Sequence, residues 1–256
     1  MTDNVLISRH DRVALLTLNR AARRNALDLT LRAAIAEAVR KLDADDSVGA
    51  LVIYGGEDIF AAGADLNLLV DKGAREVEDL DLGQYWAPLL ACRKPLFAAV
   101  NGFALGAGCE LAMMCDVVIA DNRARFGQPE LRVGIMPGAG GTQRLVRHIG
   151  RPAAALMLLC GEMIDGERAA ALGLVSALVP EGEVLARALA LAAKAAAMPP
   201  RAVRAVKRVL AQGADLPLPA ALALEHREFL LLFDTQDKTE GMRAFLEKRT
   251  AQFSGQ

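Results

Sequence analysis

Short apolar runs, each closed by glycine or a small polar residue, recur through the first two thirds of the chain. They restrict its fold more than any other feature. Residues 5–8 and Val13–Leu18 form two β-favouring runs around the polar Arg9-His10-Asp11-Arg12. After Asn25-Ala26-Leu27-Asp28, the residues Leu31, Ile35, Val39 and Leu42 recur at helical spacing. Ala50–Tyr54 is a further apolar run that stops at Gly55-Gly56, and Leu96–Val100 is another, followed by Asn101-Gly102. A helix is expected over 106–114 and a strand over 116–120. A strand–strand–helix–strand opening of this kind predicts an α/β architecture.

The segment 71–81 is strongly charged and reads as a helix and loop. Helices are expected over 156–160 and Gly166–Leu172, joined by a turn at Gly161, with a last strand over 175–179. Beyond Glu183 the strand signal disappears. Residues 185–198 are alanine-rich and helical, Pro199-Pro200 opens another helix, and Leu216-Pro217 breaks it. Further helices are expected over 220–233 and 240–248. The chain therefore divides into a core at 1–194 and a helical subdomain at 195–256. At 256 residues it is long enough for one large core with such an extension.

Composition removes several kinds of chemistry. Thirty Lys and Arg against 31 Asp and Glu leave a net charge of −1, which argues against a polybasic nucleic-acid binder. Aromatics make up only 4%, so stacking platforms for single strands are scarce. His10, His148 and His226 lie far apart, and Cys92, Cys109, Cys115 and Cys160 form no C-x-x-C pair. Buried thiols in a reducing compartment are expected, with no metal site. None of the four serines sits in a G-x-S-x-G elbow, which disfavours a hydrolase triad. The start, Met1-Thr2-Asp3-Asn4, carries no signal-peptide pattern, and Glu110 and Asp116 interrupt the best apolar stretch. A cytoplasmic protein that neither spans nor binds a membrane is expected.

Two loops of small residues are candidates for a binding function. Gly138-Ala139-Gly140-Gly141-Thr142 lacks the lysine of a phosphate loop, and Gly106-Ala107-Gly108 lacks the third glycine of a dinucleotide fingerprint. Gly102, Gly106 and Gly108 nevertheless lie between an apolar strand and a helix, where free main-chain N–H groups can meet an oxyanion. The run Phe60-Ala61-Ala62-Gly63-Ala64-Asp65 exposes main chain in the same way. Tight helix–strand packing is the alternative reading of both loops. Glu110, inside an otherwise apolar helix, and Glu130, after Phe126-Gly127-Gln128-Pro129, weigh toward function, because a lone buried carboxylate is costly. Two such groups can divide acid and base roles. For Glu130 a rim salt bridge with Arg132 or Arg123 stays open.

These segments, together with Val100-Asn101-Gly102 and Gly134-Ile135-Met136-Pro137-Gly138-Ala139-Gly140-Gly141-Thr142, resemble the crotonase (enoyl-CoA hydratase/isomerase) superfamily. The resemblance runs in order through essentially the whole chain, to Glu247-Lys248-Arg249. It implies a spiral of β-β-α turns followed by helices that build a homotrimer or a dimer of trimers. It also implies acyl-CoA thioester substrates, with no cofactor beyond the coenzyme A they carry. Carried over by position, the main-chain N–H groups of Ala64 and Ala107 form an oxyanion hole. Glu110 and Glu130 match the catalytic pair of the hydratases, which add water syn across a 2-enoyl thioester. Residues expected near the substrate or its CoA are Arg23, Arg24, Ala26, Ala62, Asp65, Leu66, Asn67, Phe229 and Lys248. Asn67 stands where many relatives carry a lysine for CoA, and Arg23 and Arg24 are the candidate replacements.

Leu105-Gly106-Ala107-Gly108-Cys109-Glu110 and Gln84-Tyr85-Trp86-Ala87 are most similar to a branch of bacterial phenylacetate-pathway hydratases, whose acyl group ends in a carboxylate. Short-chain hydratases of fatty-acid β-oxidation are the close alternative. No arginine can be assigned to the acyl pocket from sequence. An isomerase of 3-enoyl-CoA, needing only one of the two glutamates, and an RNA-binding homologue are the competing roles.

Overall fold

The apolar runs become strands of one sheet, and the segments that follow three of them become strands of a second. The computed structural model describes residues 3–256. β1 (Val5–His10) and β2 (Val13–Leu18) pair antiparallel and lead into α1 (Leu29–Ala44). β3 (Ala50–Tyr54) and β4 (Ile59–Ala61) precede α2 (Ala74–Asp79) and α3 (Gly83–Leu90). β5 (Leu96–Val100) and β6 (Phe103–Leu105) precede α4 (Ala107–Met113). β7 (Val117–Ala120) and β8 (Arg125–Gly127) precede α5 (Gly141–Cys160). β9 (Met163–Asp165), α6 (Gly166–Leu172) and β10 (Ala177–Leu178) complete the sheets. The larger sheet has the order β1-β2-β3-β5-β7-β10, parallel after its first pair. The smaller has the order β4-β6-β8-β9, with only β8 and β9 antiparallel. Three times in succession the chain passes from the large sheet to the small one and returns through helix. That is the spiral of β-β-α turns.

Successive turns touch main chain to main chain at their corners. Gly102 has φ +58°, and a Cβ there would lie 1.9 Å from the Asp58 carbonyl oxygen of the preceding corner. Only glycine fits so close an approach at that dihedral.

The core lies on both faces of the larger sheet. On one face α1 buries Leu31, Ile35, Val39 and Leu42, the expected stripe, and Asp28 caps it by accepting from Leu31 N at 2.8 Å. On the other face α7 (Val184–Ala196) lays Val184, Ala188, Ala192 and Ala196 against Val13, Ala50, Val52 and Phe97. Alanines at every fourth position let this helix sit close to the strands. A Cβ on Gly49 would be only 2.6 Å from that of Ala196. Beyond it run α8 (Pro200–Gly213), α9 (Leu218–Leu232) and α10 (Gln236–Leu246). Lys207 ties α8 to the core by donating to Asp116 at 2.6 Å and to the Lys94 carbonyl at 2.7 Å. None of the helices among the described residues is long and apolar enough to cross a membrane. Cys92, Cys109 and Cys115 are buried free thiols, and Cys160 is exposed.

The structure departs from the sequence reading at several elements, among them the short strands β4 and β6, which read as loop. α3 was not expected, because Gly83 and Pro88 lie within its eight residues and mask two turns that bury Trp86 and Leu89. α5 extends back to Gly141, through a segment that reads as loop, and it is interrupted at Gly150, with φ +74°. β9 has only three residues and shows no alternation. α10 starts at Gln236 rather than 240, because Thr235 caps it by accepting from Lys238 N.

Candidate active site

Three polar residues of the early loop set the position of the first small-residue segment. Asn25 is fully buried, and its amide donates to the carbonyls of Gly55 (2.7 Å) and Phe60 (3.1 Å) while accepting from Arg20 N. Arg20 pairs with Asp28 at 2.9 Å and Asp65 at 3.1 Å, bridging the cap of α1 to the loop after β4. Leu27 N donates to Gly63 O at 2.8 Å, and Asp65 N donates to Leu27 O. Ala64 lies between these two bonds, and its own N–H has no main-chain acceptor.

The second donor comes from the start of α4. Ala107 is its first residue, so its N–H has no partner within the helix. A Cβ on Gly63 would lie 3.1 Å from Leu105 O and 3.9 Å from Ala107 N, which places the two loops side by side. Gly108 permits that approach, since a Cβ there would meet Ala61 O at 2.2 Å.

Glu110 projects from the first turn of α4 and is 1% exposed. One carboxylate oxygen accepts from Ala139 N at 2.8 Å and Gly141 N at 2.7 Å, and the other has no protein donor among the described residues. Burial pushes its pKa above the ordinary carboxylate value, opposed by those two N–H groups and by the charges of Arg32 and Arg144. Glu130 opens a short 3-10 turn after Pro129 and stands over Gly106, where a Cβ would lie 2.9 Å from its carboxylate. Burial and the charge of Glu110 push its carboxyl up to about 7, against the pull of its own backbone N–H. With its amide nitrogen turned toward the carboxylate, Gln128 donates to both Glu130 oxygens, at 2.9 and 3.1 Å. The rim salt bridge left open from sequence is not formed. Arg132 donates to the Gly161 carbonyl, and Arg123 pairs with Asp121 and Glu181.

Both carboxylates and both donor loops line one cleft of about 780 Å³. Ala62 and Leu66 also line it. Arg23, Arg24 and Ala26 do not, although Arg24 O accepts from Ala62 N at 3.0 Å, which puts their loop beside the entrance. Asp65 is held by Arg20, and the exposed Asn67 turns its amide back onto Asp65. Phe229 lies on α9 and Lys248 in the turn after α10, and neither lines the cleft within this single chain. Sequence reasoning missed Arg20 and Gln128, and it also missed Arg32 and Trp86, which line the cleft. A buried polar residue amid an apolar helical stripe, as Arg32 is on α1, was the available signal. Among the described residues no group of three or more His, Cys, Asp or Glu could hold a metal ion.

Comparison with known proteins places the chain in a family. The family model for enoyl-CoA hydratase/isomerase matches residues 8–256. The chain is 49% identical over 251 residues to the 2,3-dehydroadipyl-CoA hydratase of Escherichia coli K12, covering 98% of each. It is 41% identical over 254 residues to the crotonyl-CoA hydratase of Syntrophomonas wolfei, again covering 98% of each. A solved enoyl-CoA hydratase of Bacillus anthracis aligns with a TM-score of 0.94 at 32% identity, covering 99% of this chain and 100% of that one. With its spiral core, and with a match spanning nearly its whole length, the chain belongs to the enoyl-CoA hydratase/isomerase family.

Proposed function

We propose that this protein is an enoyl-CoA hydratase in which Glu110 and Glu130 share the proton transfers. The observation that carries the reading is the pairing of two carboxylates, neither bonded to a basic side chain, beside two free main-chain donors. Ionised Glu110 takes a proton from the water attacking C3. Protonated Glu130 delivers a proton to C2. The N–H groups of Ala64 and Ala107 hold the negative charge that develops on the thioester oxygen. Carboxylates and main-chain amides suffice for this chemistry, with no cofactor beyond the coenzyme A of the substrate. An isomerase would use only one carboxylate, so the second favours hydration. The net charge of −1 supports an enzyme over an RNA-binding role.

The test is absorbance loss of the conjugated thioester with crotonyl-CoA, 2-hexenoyl-CoA and 2,3-dehydroadipyl-CoA. Turnover is expected, and a folded protein inactive on all three overturns the reading. The pH profile gives a second check. Glu130 must carry its proton for hydration, so kcat/KM is expected to fall tenfold per pH unit above about 7. Glu110 must be ionised, so the acid limb is expected above the ordinary carboxylate range.

The assembly proposed is a homotrimer, or a pair of trimers, in the cytoplasm, with the 195–256 segment as its helical subdomain. Its support is the apolar surface left on α9 and α10, where Leu218, Leu222, Phe245 and Leu246 are exposed. Light scattering should read three or six times the 27.2 kDa chain, and a monomer would refute the assembly.

A further inference from the structure

The most deeply buried cation of the cleft forms no ion pair among the described residues. Arg32 points from α1 into the cleft and is 3% exposed; Trp86, beside it, is 5% exposed. Lys72, by contrast, is exposed at the rim. The Nε of Arg32 donates to Leu27 O at 2.9 Å, and its guanidinium lies over the Trp86 ring, 4.8 Å from the centroid. Among the described residues no carboxylate lies within ion-pair distance of it, and its two terminal NH2 groups donate to no protein acceptor. Of the two carboxylates whose charges it feels, Glu110 is held by two main-chain N–H groups and Asp28 is paired with Arg20.

A buried guanidinium with four unanswered N–H donors is costly unless something else meets it. Stacking on Trp86 fixes the plane of the fork and leaves its outer edge to a planar, two-oxygen acceptor. Glu110 is not that acceptor. It takes two backbone N–H groups and none from Arg32. Ionised Glu110 would repel any further anion entering the cleft, so a second negative group on a substrate needs a cation to offset it. Of the cations lining the cleft, Arg132 already donates to Gly161 O. Arg32 is the buried one that remains free.

We propose that Arg32 binds a carboxylate at the far end of the acyl chain, making the preferred substrates 2-enoyl-CoA thioesters of dicarboxylic acids. The proposal rests on the hydratase reading and names its substrate class. The probes are 2,3-dehydroadipyl-CoA, its terminal methyl ester, and 2-hexenoyl-CoA, which matches the chain length without the carboxylate. The wild-type protein is expected to prefer the free carboxylate over both neutral probes by roughly 10- to 100-fold in kcat/KM, the range of one charged hydrogen-bonded contact. Arg32→Leu should collapse that preference, with the loss falling on KM for the carboxylate substrate. Arg32→Lys should restore part of it.

Equal losses on charged and neutral probes would overturn the proposal, since Arg32 would then act through Glu110. A wild-type protein indifferent to esterification would overturn it as well, and that comparison needs no variant to fold. Inactivity on every probe would instead overturn the hydratase reading itself.

Discussion

Replacing Glu110 by Gln should lower kcat for crotonyl-CoA hydration by roughly 10²–10⁴, the share typical of one acid–base group. The substitution isolates chemistry from folding. The amide oxygen of Gln can still accept from Ala139 N and Gly141 N, so the junction between α4 and the start of α5 keeps its bonds. Only the second carboxylate oxygen, the one without a protein donor, loses its ability to take a proton. Glu130→Gln should cost a similar factor, because Gln128 and the main chain can hold a neutral amide there as well. The double variant should be far less than multiplicatively slower, since one disabled carboxylate already interrupts the shared transfer. Initial rates by absorbance loss, with melting curves beside them, check all three. A near-wild-type kcat in either single variant removes that residue from the mechanism.

Adding one methyl group at Gly108 should be almost as damaging, although it alters no reacting group. In Gly108→Ala the new Cβ would lie 2.2 Å from Ala61 O and 2.8 Å from Ala61 Cβ. Neither neighbour is the tip of a flexible side chain, so α4 must move away from β4. That motion separates the Ala107 N–H from the Ala64 N–H. Losing one donor of such a pair costs about 10²–10³ in rate, and the overpacking itself costs about 1–3 kcal/mol. Gly213→Ala is the control. Its nearest neighbour, the Ala221 Cβ, is 3.7 Å away, in ordinary contact, so rate and melting temperature should hold. A fully active Gly108→Ala would show that the two loops do not act together.

The larger sheet was legible because its strands are unbroken apolar runs, and α1 was legible because its stripe is buried as written. The three-residue strands of the smaller sheet carry too few positions for a period to show. They are held in place by the neighbouring turns. Of the site, Glu110 and Glu130 stood out as charges in apolar surroundings, and the two loops stood out through their small residues. Arg32 was hidden because its partner, Trp86, is distant in sequence and becomes its neighbour only on folding, and Gln128 because only the local turn at Pro129 aims its amide at the Glu130 carboxylate. The path of α5 was obscured because its opening Gly141-Thr142 is poor helix-forming sequence, and its first N–H is used by Glu110 instead.

The main-chain contact between successive corners bears on how the protein gains and loses its activity. The proposed oxyanion donors and the two carboxylates come from three consecutive turns of the spiral, and at Gly102 main chain meets main chain between two of its corners. A chain with only one or two turns in place therefore lacks the full set of these groups. The parallel pairings that bring the turns together are distant in sequence, which slows their assembly. Turnover is therefore expected to be lost together with the contacts between turns, which following both through one unfolding transition checks.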